Sequence, residues 1–334
     1  MKDIFDNCQL GNLELKSRII RTGLWESQHI NNSRLTQDIY SRYKTIAESG
    51  VGLITTELIA MYPRDTFEKY THKIYSVDFI HDFKKLTELV HEYDVPILAQ
   101  LEFVNFNRGI DMNIDVNDLT MDDIRKIQTD LIMDAKKLSF AGFDGIQLAL
   151  GNNFFLSRFI NPYFNQRKDD YGQDTFGRMR IVLEAIKVIK DNYNLHVNIR
   201  INAYDGRKGG ITEEESIKMC QLLEEYGADS IQITKPLSPL YFTHEEINNE
   251  LIDYCDKLSE NINIPLILGG GLTDKNRINS IINERNIDFV SMYRPFVAQK
   301  DFLLDWKENK ESISRCKMCN NCYRRKNSTC YYFD

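Results

Sequence analysis

The sequence contains no run of 18 apolar residues, so no segment reads as a membrane-spanning helix. Its first residues, MKDIFDNCQLGNLELK, lack the apolar stretch of an export signal. Together these absences give the expectation of a cytoplasmic chain with no membrane partner. Positive charge is not in excess either. Lys and Arg number 42 against 49 Asp and Glu, a formal charge of -7, and the concentrated basic surface that a nucleic acid needs is not expected. No linker rich in Pro, Gly or Ser divides the chain, and no internal repeat is visible beyond the alternation described below. The seven cysteines do not read as a disulfide framework. Cys8, Cys220 and Cys255 are scattered as ordinary small buried residues, and the other four cluster at 316–330, a pattern that fits metal chemistry better than bridges in this compartment.

What is present is a large potential core. Of 334 residues, 42% are hydrophobic and 27% charged, as in soluble globular proteins. Eight short apolar runs recur, each followed by helical spacing: SRIIRT (17–22), VGLITTE (51–57), VPILAQLEF (95–103), FDGIQLAL (143–150), HVNIRINA (196–203), DSIQITK (229–235), IPLILGGG (264–271) and FVSMYR (289–294). Their near-continuous apolarity suggests strands covered on both faces, as in parallel sheets. The clearest helix is 121–139, with Ile124, Ile127, Leu131, Ala135 and Leu138 on one stripe and Thr120 with Asp123 as a capping pair at its start. Strand then helix, eight times, predicts a (β/α)8 TIM barrel over 1–310, followed by a cysteine-containing tail at 311–334. The connection after the second strand and the stretch 150–175 are long enough to form lids.

In such barrels the reactive groups sit at the C-terminal ends of the strands. That rule selects Trp25 and Glu26, Glu57, Gln100 and Glu102, Gln147 and Asn152, Arg200 and Asn202, Lys235, Gly269 to Gly271, and Arg294. The GGGLTD and YRP segments of the last two loops suit a phosphate, held by glycine backbone N–H groups and a guanidinium. They equally suit a simple turn and an Arg294 ion pair. Gln100 and Arg200 are polar residues within apolar strands, where fixed hydrogen-bond partners are required. A flavin's pyrimidine edge would provide such partners, and so would neighbouring protein groups.

The ordered set IFDNCQLGNLELKSRIIRTGLWES, GVGLITTE, ILAQLEF, AGFDGIQLALGNNFFLSRFINPYFNQRKDDYGQDTFGRMRIVLE, NIRINAYD, IPLILGGG and FVSMYRPFVAQKDF resembles the Old Yellow Enzyme family of NADH:flavin oxidoreductases over roughly residues 3–305. The resemblance implies FMN as cofactor, reduced by NAD(P)H, and hydride passed on to a small electron-poor acceptor. A homo-oligomer is left open. It places Thr22, Gly23, Leu24 and Trp25 along the flavin rings, Leu58 near O4, Gln100 on the pyrimidine and Arg200 at N1/O2. Gly270, Gly271, Tyr293 and Arg294 fall at the phosphate.

The chain departs from the pattern where Gly23 stands for proline or alanine and Tyr293 for glycine. At the end of the fourth strand, Ala149 stands where the family has a substrate-binding histidine and Phe154 where it has the proton-donating tyrosine. Asn152 keeps a residue type of the family and is a candidate catalytic group. Tyr204, Asn153, Tyr241 and His244 are candidate replacements, Tyr204 foremost. Asn165, Arg167, Asp170 and Tyr171 resemble the family's loop after strand four and read as scaffold. A flavin-binding or redox-sensing protein with a degenerate acceptor site is the alternative reading.

Cys316, Cys319, Cys322 and Cys330 form C-x2-C-x2-C-x7-C, four thiols that can close on zinc or a [4Fe-4S] cluster, or remain reduced. Larger members of the family carry such a cluster after the barrel with longer gaps.

Overall fold

The computed structural model describes residues 1–23, 30–31, 34–63, 72–106, 114–235, 244–324 and 329–333. Leu24, Trp25, Glu26, Tyr241 and the side chain of His244 lie outside what is described. Eight strands form the centre: β1 (Ile19–Arg21), β2 (Leu53–Ala60), β3 (Ile97–Glu102), β4 (Gly145–Leu150), β5 (His196–Asn202), β6 (Ser230–Thr234), β7 (Leu266–Gly269) and β8 (Phe289–Met292). Each pairs in parallel with its successor, and β8 returns to β1, so the sheet closes into the expected (β/α)8 barrel. A two-residue strand, His72–Lys73, adds in parallel to the far end of β2 and was not legible as a strand in the sequence. None of the described helices is long and apolar enough to cross a membrane.

The helices surround this barrel because their apolar stripes and the outward residues of the strands share one core. Helix Met121–Phe140 shows how: Ile124, Ile127, Leu131, Ala135 and Leu138 are buried, and Thr120 with Asp123 forms the reciprocal capping box. That cap removes two free backbone donors at the helix start.

Alternation along each strand sorts the remaining residues. Ile97, Ala99, Leu101, Val197, Ile199 and Ile201 join the outer core. Ile20, Leu53, Leu98, Ile267 and Phe289 point the other way, into the barrel, where they meet Leu10, Leu13 and Leu15. Those three leucines come from a hairpin, Cys8–Leu10 with Leu13–Leu15, that plugs the floor of the barrel. Its turn is Gly11-Asn12, with Gly11 at φ +58°, a conformation glycine adopts without a Cβ clash.

Period-two alternation then assigns Gln100 and Glu102, Gln147 and Ala149, Asn198 and Arg200, and Gln232 to the interior above this apolar floor. A bulge in β2 between Thr55 and Leu58 resets that strand. It lets Leu58 pair with Gln100 on the inward side, while Glu57 meets His72 Nε2 at 3.1 Å among the outer helices. Glu57 is therefore not at the barrel mouth.

The tail is tied back to the barrel at its start. Ser314 N–H donates to Thr273 O at 2.8 Å and Lys275 N–H to Ser312 O at 2.7 Å.

Candidate functional site

Polar side chains replace leucines halfway up the barrel and are linked by hydrogen bonds, although Gln147 Oε1 is buried and finds no donor among the described residues. His196 bridges Asn12 Oδ1 (3.0 Å) and Ser230 Oγ (2.8 Å). Asn198 Nδ2 donates to the same Ser230 Oγ at 2.7 Å. Gln147 Nε2 donates to Asn198 Oδ1 (2.7 Å) and to Gln232 Oε1 (3.0 Å), and Gln232 Nε2 to Thr22 Oγ1 (3.1 Å). The chain of bonds runs from the floor hairpin to the top of β1. Each bond contributes about 1 kcal/mol, whereas a broken one would leave a costly buried polar atom. Burial holds the His196 imidazole down to about 4, with Asp229 opposing and Lys190 assisting.

At the top of this ladder lie the residues expected to meet a cofactor. Thr22, Leu58, Gln100 and Arg200 are all buried. Arg200 Nη1 donates to Gly23 O at 3.4 Å, joining β5 to the end of β1. Gln100 Nε2 donates to Glu102 Oε2 at 3.3 Å, while Gln100 Oε1 is buried and accepts no hydrogen bond from the described residues. A Cβ on residue 23 would lie 1.9 Å from Thr56 O and 2.3 Å from Gln100 Oε1. As placed, this strand end therefore accommodates glycine and leaves no space for a side chain.

Across the mouth, Gly270 and Gly271 both take φ +82°, and a Cβ on Gly270 would meet nothing within 4 Å. Both take a conformation suited to glycine, and at Gly270 the space a side chain would fill is open among the described residues. Tyr293 is buried, with the Arg21 guanidinium carbon 5.8 Å from its ring centroid and Tyr43 on the same cation. The ring is engaged by the outer layer. Arg294 opens the short helix Arg294–Ala298, and its Nη1 donates to Asn320 Oδ1 of the tail at 2.7 Å. No sequence signal pointed to Asn320, which lies 26 residues further on.

The four tail cysteines line one small cavity together with Arg294 and Asn320. Burial raises the Cys316 thiol and pushes Cys322 up to about 11. As placed, no three His, Cys, Asp or Glu side chains among the described residues are grouped to hold a metal ion. Elsewhere, Cys220 is buried with its thiol pushed to about 12 by desolvation, Cys255 is buried and raised as well, and Cys8 is only half-buried.

The end of β4 is short of chemistry. Ala149 is paired with Arg200 and presents a methyl group. Asn152 and Asn153 follow at φ +66° and +57°, and they line a pocket with Asn161, Asn202, Asp205 and Arg207. Two successive non-glycine residues in the left-handed region store strain, which asparagine tolerates better than most. The Tyr204 hydroxyl donates to Glu250 Oε2 at 2.9 Å, and Lys235 pairs with the same carboxylate. Burial raises that phenol, so it is a weakly acidic group already committed to a neighbour. Around loop four, Asn165 Nδ2 donates to Phe159 O and Tyr171 O, Arg167 pairs with Asp169, and Asp170 with Arg180.

Over residues 3–312 the sequence matches the NADH:flavin oxidoreductase / NADH oxidase family. The chain belongs to that family. It is 24% identical over 343 residues to the NADH oxidase of Thermoanaerobacter brockii, covering 95% of this chain and 53% of that protein. Among solved structures it is similar to a 2-naphthoyl-CoA reductase (TM-score 0.85, 17% identity, 95% of this chain and 54% of the other). An old yellow enzyme homologue from Zymomonas mobilis matches with TM-score 0.77 at 17% identity, 94% of each chain being covered. The chain thus spans about half the length of the first two relatives and nearly all of the third. These likenesses place it among the Old Yellow Enzyme folds.

Proposed function

We propose that the chain binds FMN across the barrel mouth and passes hydride from NADH or NADPH to a small electron-poor acceptor. When bound, FMN supplies the hydride chemistry; the protein supplies orientation and charge. The observation that carries this reading is Gln100. A buried amide whose Oε1 accepts nothing from the described residues is costly unless a donor completes it, and a flavin pyrimidine offers that donor. Arg200, inward on β5 two strands away, would place positive charge beside the reduced ring. Thr22, Gly23, Leu24, Trp25 and Leu58 would line it, and Gly270, Gly271, Tyr293 and Arg294 would hold the phosphate end.

Asn152 is the remaining polar candidate at the end of β4, with Tyr204 further out. With Ala149 and Phe154 in the histidine and tyrosine positions, simple cyclic enones should be slow substrates. The substrate site is atypical for the family.

Mass spectrometry of the chromophore released from purified protein tests the cofactor. FMN at one per chain is expected; FAD, or no flavin after incubation with excess FMN, would refute the assignment. A flavin-based sensor is the second reading, favoured by the cysteine cavity against Arg294. It predicts flavin binding without turnover. A zinc ion or [4Fe-4S] cluster in the tail rests on that shared cavity alone and requires the thiols to close in. Iron and zinc analysis after anaerobic purification decides it.

A further inference from the structure

We propose that the pocket between loops four and five anchors a carboxylate group of the acceptor, a role that rests on the FMN reading above. The pocket lies on the rim of the barrel, where Leu150 ends β4 and Asn202 ends β5. Asn202 shares the inward parity of Arg200, the residue placed at the cofactor, and two residues of strand rise about 6.6 Å. A group held at Asn202 therefore stands one step nearer the mouth than that cation. The cavity measures about 50 Å³, whereas one water needs about 10–15 Å³. A group of three heavy atoms, such as a carboxylate, fits.

The lining is rich in donors that the chain leaves unused. Ser157 is only 7% exposed, yet its hydroxyl makes no hydrogen bond to a described residue, and neither do the side chains of Asn152 and Asn153. Asn202 Oδ1 accepts from Thr234 Oγ1 at 3.0 Å, while its Nδ2 donates to no described residue. Arg207 adds a full positive charge. Its guanidinium carbon lies 4.8 Å and 4.9 Å from the ring centroids of Tyr163 and Phe164, and it pairs with no described carboxylate. The acid among the lining residues, Asp205, is already engaged: its Oδ2 accepts from Asn161 Nδ2 and its Oδ1 from the Arg207 N–H, each at 2.6 Å.

Amide and hydroxyl donors beside an unpaired guanidinium suit a group that only accepts, and an ionised carboxylate is such a group. A ketone oxygen has two lone pairs, carries no charge and would leave the guanidinium without a counterion. The backbone agrees with this reading. Asn152 and Asn153 hold left-handed conformations, which are costly for residues other than glycine, and no side-chain bond to a described residue offsets that cost. Acceptors that carry a carboxylate are therefore the class this rim selects.

The test uses the full chain loaded with FMN. The oxidised protein is titrated with cyclohex-1-ene-1-carboxylate, and with the matching carboxamide as a neutral control, by calorimetry and by flavin absorption. Expected is saturable binding of the carboxylate, roughly 10-fold or more tighter than the carboxamide, with a change in flavin absorption of the same midpoint. Arg207→Met keeps an apolar stem against the two rings and removes the charge. It should weaken the carboxylate by about 10- to 150-fold and the carboxamide little. Ser157→Ala should weaken the carboxylate by about 2- to 10-fold, with FMN content unchanged in both variants.

No saturable binding, equal affinity for the two probes, or a carboxylate affinity unchanged in either variant overturns the assignment. So does binding that leaves flavin absorption as it was, which would put the carboxylate out of reach of the cofactor. Those failures leave the FMN reading standing, whereas a wild-type protein that takes up no FMN removes both.

Discussion

Gly23 and Arg294 show how much single positions decide at the mouth. Adding one methyl at residue 23 would drive it into Thr56 O and Gln100 Oε1, and relief requires β1 or the amide to move. Such overpacking costs about 1–3 kcal/mol. Gly23→Ala should therefore lower the melting temperature and weaken FMN, although alanine is ordinary there in relatives; equal melting curves would show that the strand end yields freely. Arg294 makes a different prediction. A charge-assisted phosphate contact contributes roughly 1.5–3 kcal/mol, so Arg294→Ala should weaken FMN by about 10- to 150-fold in Kd. Riboflavin, which has no phosphate, should bind both proteins alike in a fluorescence titration. Asn320→Ala, which removes the oxygen that holds the guanidinium, should give a smaller loss with the same selectivity for FMN over riboflavin.

The strands were legible because each is a short, nearly unbroken apolar run between helical patterns, and the structure trims their ends by a few residues: 264–271 becomes Leu266–Gly269, for example. The helix after β3 was equally plain from its stripe and cap. Facing was harder to read, since a run apolar on both sides does not say which residues look inward. The floor leucines settle it through contacts distant in sequence. Gln100 and Arg200 stood out as polar breaks in apolar runs. Gln232 carries the same signal in DSIQITK, and its bonds to Gln147 and Thr22 give that polar break its place in the ladder. The hold of Asn320 on Arg294 and of Asn12 on His196 were invisible for another reason. Neither pair has a local pattern; the folded chain alone brings them together. The bulge in β2 likewise withdrew Glu57 from the mouth, a reversal of facing that period-two reading cannot anticipate.

For the molecule as a whole, the ladder through the barrel makes stability depend on pH. The His196 imidazole, near 6.5 when the chain is unfolded, is held down to about 4 by burial. Between those values the unfolded chain binds a proton that the folded one refuses, so stability is full above pH 6.5 and falls as pH drops toward 4. The loss amounts to roughly 3 kcal/mol. Urea midpoints for the wild type should fall across this window, and the fall should be shallower in His196→Gln, whatever its stability at neutral pH; parallel curves would place the acid sensitivity elsewhere. The floor hairpin has a kinetic consequence too. With Leu10, Leu13 and Leu15 filling one end of the barrel, the proposed hydride donor and acceptor have one doorway between them and must take turns. Initial rates measured at several fixed concentrations of one partner should then give parallel double-reciprocal lines, and the donor in excess should slow turnover by standing in the acceptor's way.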